Sequence, residues 1–170
     1  ETARGERVLA ELLAGTGTAP LPADREVQAA FPRESAAAME PVRSDSQPGP
    51  ADLVDALWAA ARGLFIHGPV RAACHAARSA ALAGAAGDPV RRARGLVMVL
   101  AIVGLLDDPA LLAHVRREID VYLADHDDPY VVGLVALMQG ITAVGRGRWS
   151  DALRDLEFGT SHLARRCTEV

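Results

Sequence analysis

Four prolines recur at intervals of twenty residues, and an aspartate precedes each of the last three. These prolines are Pro69, Pro89, Pro109 and Pro129. Proline suits the first position of a helix, because its missing N–H would have no partner there. An aspartate just before it accepts hydrogen bonds from the first N–H groups and favours the positive end of the helix dipole. The spacing therefore predicts a helix from each proline, about seventeen residues long and followed by a turn of about three.

Two such helices make a hairpin of about forty residues, which is the period of an α-solenoid repeat. We predict an all-α fold in which antiparallel helical hairpins stack as a short tetratricopeptide-like (TPR-like) α-solenoid. The predicted hairpins are 51–84, 89–125 and 129–167. The composition agrees, because half of the residues are hydrophobic while only 4% are aromatic, which favours closely packed helices over a β-sandwich.

The hydrophobic pattern distinguishes two kinds of helix. The helices from Pro89 and Pro129 are apolar almost all round, as expected of helices buried on most sides. The helices from Pro69 and Pro109 are predicted to be amphipathic. The predicted buried positions are Val70, Cys74, Ala77 and Ala81 in the first, opposite Arg71, His75 and Arg78, and Leu112, Val115, Ile119 and Tyr122 in the second.

Residues 1–40 are predicted to form N-terminal helices at Glu6–Ala14 and Asp24–Phe31, a candidate partial repeat. Residues 41–50 are rich in proline and serine and are predicted to be a linker before the hairpin region 51–170. The first residue is Glu1 rather than methionine, so we expect the chain to be a segment of a longer protein.

Charge and residue types argue against several classes of function. A net charge of −4 makes nucleic acid an unfavourable partner. The chain has no lysine, which excludes a Walker A loop, a protein kinase site and a Schiff-base enzyme. The longest apolar run, 96–106, is about half a membrane span, so no membrane partner is expected. Cys74 and Cys167 are predicted to be reduced, buried thiols of a cytoplasmic protein.

The acidic stretch 125–128, Asp-His-Asp-Asp, is the one candidate metal site. Three carboxylates and an imidazole could bind a divalent ion. The alternative is a helix end followed by a capped helix start. We favour the second, because Asp-Asp-Pro recurs at 107–109 without a histidine, and we predict neither metal nor cofactor.

Other polar residues lie in patterns that predict ordinary structure. His114 and Glu118 are one helical turn apart and are predicted to form a surface pair. Cys74 and His75 are adjacent, so their side chains diverge on a helix and no catalytic dyad is expected. Ser150 is predicted to be the N-cap of the last helix.

Six residues are candidates for binding a partner. Three are arginines in the first turns of the helix from Pro89, where the helix dipole disfavours positive charge. They could dock an acidic partner or a phosphate, or pair with carboxylates such as Asp88. Groove-lining residues of stacked hairpins are also expected on the first helix of each pair. The six candidates are Arg91, Arg92, Arg94, Trp58, Tyr130 and Gln139.

The last hairpin resembles a tetratricopeptide repeat in the stretch QGITAVGRGRWSDALRDLEFG, residues 139–159. Small residues fall where the helices would cross and large ones between them. The matching repeat positions are Gly140, Gly147, Trp149, Ala152, Leu156 and Gly159. The stretch departs from the pattern at Ala143, where that family usually has tyrosine.

The last forty residues also resemble part of the helical repeat region of large bacterial multidomain serine/threonine kinases, in which a kinase domain and a signal-transducing ATPase precede the repeats. The matching residues are Asp128, Pro129, Tyr130, Gly133, Leu137, Gly140, Gly147, Trp149, Ala152, Leu153, Arg166, Cys167 and Thr168. The resemblance implies a scaffold or sensor in signal transduction, with the kinase and ATPase residues outside this chain.

We therefore predict a non-catalytic protein-interaction or scaffold module of a larger signalling protein. Its partner would be a protein, a peptide or a neighbouring domain of the same chain. One alternative is an effector-sensing repeat domain of a bacterial transcriptional regulator. Another is a metal-dependent enzyme that uses residues 125–128.

Overall fold

A computed structural model describes residues 2–15, 19–22, 24–40, 51–106 and 108–167 of the chain. Every regular element in these ranges is an α-helix, which confirms the predicted all-α class. The helices are α1 (Thr2–Gly15), α2 (Asp24–Ala38), α3 (Ala51–Leu64), α4 (Pro69–Ala85), α5 (Pro89–Leu105), α6 (Pro109–Asp125), α7 (Pro129–Gly145) and α8 (Trp149–Arg166). The predicted linker, 41–50, lies outside the described residues.

The helices from α4 onward start at the predicted interval of twenty residues. The first four of them begin at the four prolines, and α8 begins twenty residues after α7. The side chain of Asp108 accepts a hydrogen bond from the N–H of Leu111 at 2.9 Å, and Asp88 accepts one from the N–H of Arg91 at 3.0 Å. The predicted Asp-Pro helix starts are therefore confirmed.

The predicted cap at Ser150 is wrong. Helix α8 begins one residue earlier, at Trp149, so Ser150 lies inside the first turn and Arg148 takes the N-cap position. Arg148 has no side-chain oxygen, and the N-terminus of α8 has no side-chain cap. The preceding turn sets this start. Its last backbone hydrogen bond, from the N–H of Arg148 to the carbonyl of Ala143, places Arg148 at the N-cap position.

Two turns between helices close in the same way. After α4 the N–H of Asp88 donates to the carbonyl of Ala83 at 2.9 Å, and after α7 the N–H of Arg148 donates to the carbonyl of Ala143 at 2.8 Å. Each turn passes through a glycine with a φ of 69°, a conformation that a side chain would strain. These glycines are Gly87 and Gly147. The turn ends one helix, and the next helix begins two residues after the glycine.

The chain divides into two compact units, Glu1–Gly95 and Leu96–Val170, and the division falls within α5. In the first unit α4 packs on both α2 and α3, and α1 packs on α3. The predicted exposed face of α4 is wrong at His75, which is only 3% exposed. The reason is tertiary, because the N-terminal segment covers the face that carries Arg71, His75 and Arg78.

Within the first unit, two arginines on α4 form hydrogen bonds to the N-terminal segment. Arg71 Nη2 donates to the carbonyl of Pro22 at 2.8 Å. Arg78 binds Glu34 of α2 through Nε and Nη2, both at 2.9 Å. Burial alone would raise the pKa of Glu34, but the hydrogen bonds and charge of Arg78 outweigh it and hold the pKa below its usual range. The N-terminal helices are therefore an integral part of this unit.

Helix α2 runs past its predicted end at Phe31 and contains Pro32. A proline inside a helix removes one backbone hydrogen bond and disfavours the helix. The buried positions nevertheless continue beyond it, since Phe31, Ser35 and Ala38 are each exposed by no more than 1%. Packing of this stripe, on a helix that contacts α4, outweighs the local effect of the proline.

The pair of Arg78 and Glu34 supplies a test of this docking. We expect Glu34→Gln to lower the free energy of unfolding by about 1 to 2 kcal/mol, because it leaves the partly buried guanidinium of Arg78 without its carboxylate. Hydrogen exchange in α2 should rise in parallel. Glu26→Gln is the matched control, since Glu26 is exposed on the same helix. Equal stability of the two variants in urea denaturation would contradict this account.

In the second unit α7 and α8 cross at closely packed glycines. A Cβ on Gly159 would lie 2.9 Å from the carbonyl oxygen of Gly133, and one on Gly140 would lie 2.6 Å from Leu156 Cγ. Ala152 is buried in α8, one of the two buried residues of that helix together with Gly159. Two of the repeat positions lie elsewhere: Gly147 is in the turn, and Trp149 is 68% exposed at the start of α8.

Helix α6 is amphipathic as predicted. Val115, Ile119 and Tyr122 are buried, which confirms three of the four predicted positions. Leu112 is only half-buried, because it lies at the edge of a pocket rather than in the core.

Candidate functional site

A polar concavity of about 360 Å³ lies in the second unit. It is built by α5, α6, α7, α8 and the turn between the last two helices. Four of its lining side chains are arginines. They are Arg116 on α6, Arg146 and Arg148 in the turn, and Arg154 on α8.

The floor of the pocket is fixed by close contact between α5 and α7. Thr142 Oγ1 donates to the carbonyl of Met138 at 2.9 Å and lies 3.3 Å from the carbonyl of Ala101 on α5. Gly104 permits this approach, because a Cβ there would lie 2.6 Å from Thr142 Cγ2. Leu100 lies beside this contact and gives the pocket an apolar wall.

Three of the arginines are held by aspartates that lie one to four residues away in the sequence. Arg116 Nε donates to Asp120 at 2.9 Å, and Arg148 Nη1 donates to Asp151 at 3.0 Å. The third is Arg154, whose Nε donates to Asp155 at 2.9 Å. This bond and the neighbouring carboxylate charges raise the pKa of Arg154. The pairs restrict the directions in which the guanidinium groups point.

Gln139 is the one predicted partner-binding residue that lines this pocket. Tyr130 is half-buried in the first turn of α7, and Trp58 is half-buried in α3 of the first unit. Arg91 binds Asp55 through Nε at 2.7 Å and Nη2 at 2.9 Å, and its Nη1 lies 2.7 Å from Asp88. The pairing of Arg91 with Asp88, one of the two sequence interpretations, is therefore present.

The remaining two candidates, Arg92 and Arg94, are half-buried in α5 and do not line this pocket. Sequence reasoning missed the four pocket arginines. Their only local signal is the pair that flanks Gly147 in the turn, Arg146 and Arg148. Arg116 and Arg154 look like ordinary surface charges until the helices are brought together.

The acidic stretch 125–128 is a helix connection, as the capping interpretation predicts. Asp128 accepts hydrogen bonds from the N–H groups of Tyr130 and Val131 at 3.0 and 3.1 Å, and from the hydroxyl of Tyr122 at 2.8 Å. His126 stacks on the ring of Tyr122 with 4.4 Å between the centroids. Within the described ranges, no group of three or more His, Cys, Asp or Glu side chains is arranged to hold a metal ion.

In this connection Asp128, and not its neighbour Asp127, is the N-cap of α7, so substitutions at the two positions should differ in their effect on stability. We expect Asp128→Ala to destabilise the chain by about 2 kcal/mol, because it removes the cap and the hydrogen bond from the Tyr122 hydroxyl to Asp128. Asp127→Ala is the control, since Asp127 is 88% exposed and should change stability by less than about 0.5 kcal/mol. A metal site would instead make the unsubstituted chain sensitive to added chelator in the same thermal melt, and both variants would lose that sensitivity.

Cys74 and His75 show no features of a catalytic dyad. The thiol of Cys74 is buried near the carbonyl of Val27, and burial raises its pKa to about 11, so it is not a thiolate at neutral pH. Burial also lowers the pKa of His75 to about 4. The predicted burial is confirmed for Cys74, whereas Cys167 is only half-buried because it follows the last turn of α8.

His114 Nε2 and Glu118 Oε1 are 4.0 Å apart on the surface of α6, which confirms the predicted pair. In the described part of the chain, no helix combines the length and the apolar content needed to cross a bilayer.

The chain was compared with protein-family models, with curated proteins and with solved structures, and none of them matches.

Proposed function

We propose that this chain is a non-catalytic interaction module, with hairpins of the TPR-like class, that serves as a scaffold or sensor of a larger cytoplasmic signalling protein. The observation that carries the proposal is the 360 Å³ pocket, to which four successive helices contribute side chains. Open concave surfaces built from successive helices are how helical repeats bind their partners. The regular helix starts and the glycine crossing of α7 and α8 support the same class.

The chemistry of the pocket favours binding over catalysis. Its arginines, Gln139 and Thr142 offer hydrogen bonds that can hold a ligand, and its carboxylate, Asp155, is already bonded to Arg154. A general base needs a group that is ready to accept a proton from the substrate. A bonded carboxylate beside a guanidinium is poorly suited to that role.

Site-specific crosslinking tests the proposal. A photoreactive residue placed at Arg146, in the exposed turn of the pocket, should crosslink one reproducible protein in lysate of the native organism. The same residue placed at Arg117, which is exposed on α6 outside the pocket, is the matched control. Equal crosslinking patterns from the two positions, or none from either, would contradict an interaction through this pocket.

The volume of the pocket also favours one alternative, an effector-sensing repeat domain of a bacterial transcriptional regulator. Small-molecule sites occupy about 300–1,000 Å³, and this pocket lies in that range. Native mass spectrometry of the chain after incubation with a metabolite extract separates the two. A bound small molecule that is lost on substitution of Thr142 would favour the sensor, and an unliganded chain would favour the interaction module.

A further inference from the structure

The pocket concentrates positive charge in a chain whose net charge is −4. Four of its lining side chains are arginines and one is an aspartate. Arg148 is also the N-cap residue of α8, whose first turn has no side-chain cap, so the positive end of the helix dipole adds to the same wall. Asp120, Asp151 and Asp155 offset part of this charge, and an anionic ligand would add to that compensation.

The aspartate pairs leave the arginines able to bind a ligand. A guanidinium has five N–H donors in a fixed fork. The aspartates engage Nε of Arg116, Nη1 of Arg148, and both Nε and Nη1 of Arg154, so each guanidinium has N–H donors beyond these contacts that can meet a further oxyanion. These side chains are also about half exposed, and exposed pairs of this kind contribute little to stability. A ligand carboxylate can therefore join or replace the aspartate.

We infer that this pocket binds an acidic peptide segment, through carboxylates that meet Arg116, Arg148 and Arg154. The inference rests on the proposed function and names the chemistry of the partner. Arginine and carboxylate form two parallel hydrogen bonds, which give both affinity and orientation.

The distribution of the pocket residues favours a peptide over a small anion. The arginines come from α6, from the turn and from α8, so a ligand with several carboxylates can engage more of them than a single oxyanion can. Gln139 can hydrogen-bond to peptide N–H and C=O groups, because its amide both donates and accepts. Leu100 and Leu112 offer contact to an apolar side chain between the acidic ones.

Fluorescence anisotropy on the full chain tests the inference. The probe is a short labelled peptide in which glutamates alternate with alanine and leucine, and its counterpart has glutamine in place of every glutamate. We expect the acidic peptide to bind at least about tenfold more tightly, and its affinity to fall as salt is raised. Arg148→Gln and Arg154→Gln should each weaken it about three- to tenfold. Arg117→Gln should leave it unchanged, and circular dichroism would verify that all three variants fold.

Each other outcome has a definite meaning. If both peptides bind equally and Arg148→Gln has no effect, the inference is overturned while an interaction module remains. If inorganic phosphate binds and the acidic peptide does not, the pocket is a small-anion site and the peptide is overturned as its ligand. If neither peptide nor phosphate binds but position 146 crosslinks a protein, only the acidic chemistry fails. If that crosslink is absent too, the proposed function fails with it.

Discussion

Replacing Gly159 by alanine is expected to lower the free energy of unfolding by about 2 kcal/mol, and replacing it by leucine by about 3. A Cβ at this position would lie 2.9 Å from the carbonyl oxygen of Gly133 and equally close to Leu137 Cγ. The leucine side chain can rotate away, but the carbonyl belongs to the backbone of α7. The two helices would have to separate, and the buried residues along their crossing would lose contact. Urea denaturation measures the change directly.

The same substitution elsewhere should have the opposite sign. Gly63 is also helical, at the exposed end of α3, and a Cβ there would meet nothing within 4 Å. Gly63→Ala should stabilise the chain by about 0.5 to 1 kcal/mol, because alanine loses less conformational entropy in a helix than glycine does. If Gly159→Ala also stabilised the chain, helix propensity rather than the crossing would determine the result.

Stability should also fall as the pH is lowered from 7 to 5, by about 2 kcal/mol, because of His75. Burial, reinforced by the charges of Arg78 and Arg71 and opposed by Glu34, lowers the pKa of His75 from 6.5 to about 4. Its Nδ1 is buried without a hydrogen-bond partner, and the side chain lines a cavity of about 170 Å³ together with Leu9. Protonation would place an uncompensated charge there.

The pH window follows from the direction of the shift. The unfolded chain protonates His75 near pH 6.5 and the folded chain only near pH 4, so the contribution is complete above 6.5 and is lost as the pH falls between these values. The carboxyl groups with lowered pKa values, Glu34, Asp55 and Asp88, act only below about their usual values. Measurements between pH 5 and 7 therefore leave these carboxyl groups out of the comparison.

A matched pair of variants assigns the effect. His75→Leu removes the titrating group and should flatten the dependence of stability on pH in this window. His114→Gln alters an exposed histidine on α6 and should leave the slope unchanged. A slope that survives in His75→Leu, or disappears in His114→Gln, would show that another group carries the titration.

The helix starts could be predicted because their signals are local. A proline at the first helical position with an aspartate before it satisfies the helix N-terminus without help from the rest of the chain, as at Asp108 and Asp128. The burial of His75 could not be predicted in this way. Its helix presents a polar face in the sequence, and only the N-terminal segment, distant along the chain, covers that face.

The candidate site could not be predicted from local sequence signals either. Gln139 could be placed in a groove because it lies on the first helix of its hairpin, but the arginines come from separate elements with no common spacing. The end of α2 shows a similar limit. Pro32 is a local signal to stop, and the buried stripe that continues to Ala38 overrides it.

Helix α5 belongs to both compact units, and this has a consequence for folding. Its Gly95 lies against Ala76 and Ala80 of α4, while Ala101 and Gly104 lie against Thr142 of α7. A helix gains and loses its hydrogen bonds cooperatively, so melting one half weakens the other. Each unit therefore stabilises one part of α5, and the two parts of the helix stabilise each other through its continuous hydrogen bonds. We expect native-state hydrogen exchange to show α5 opening with the slowest class of amides, and the chain to unfold as one cooperative system rather than unit by unit.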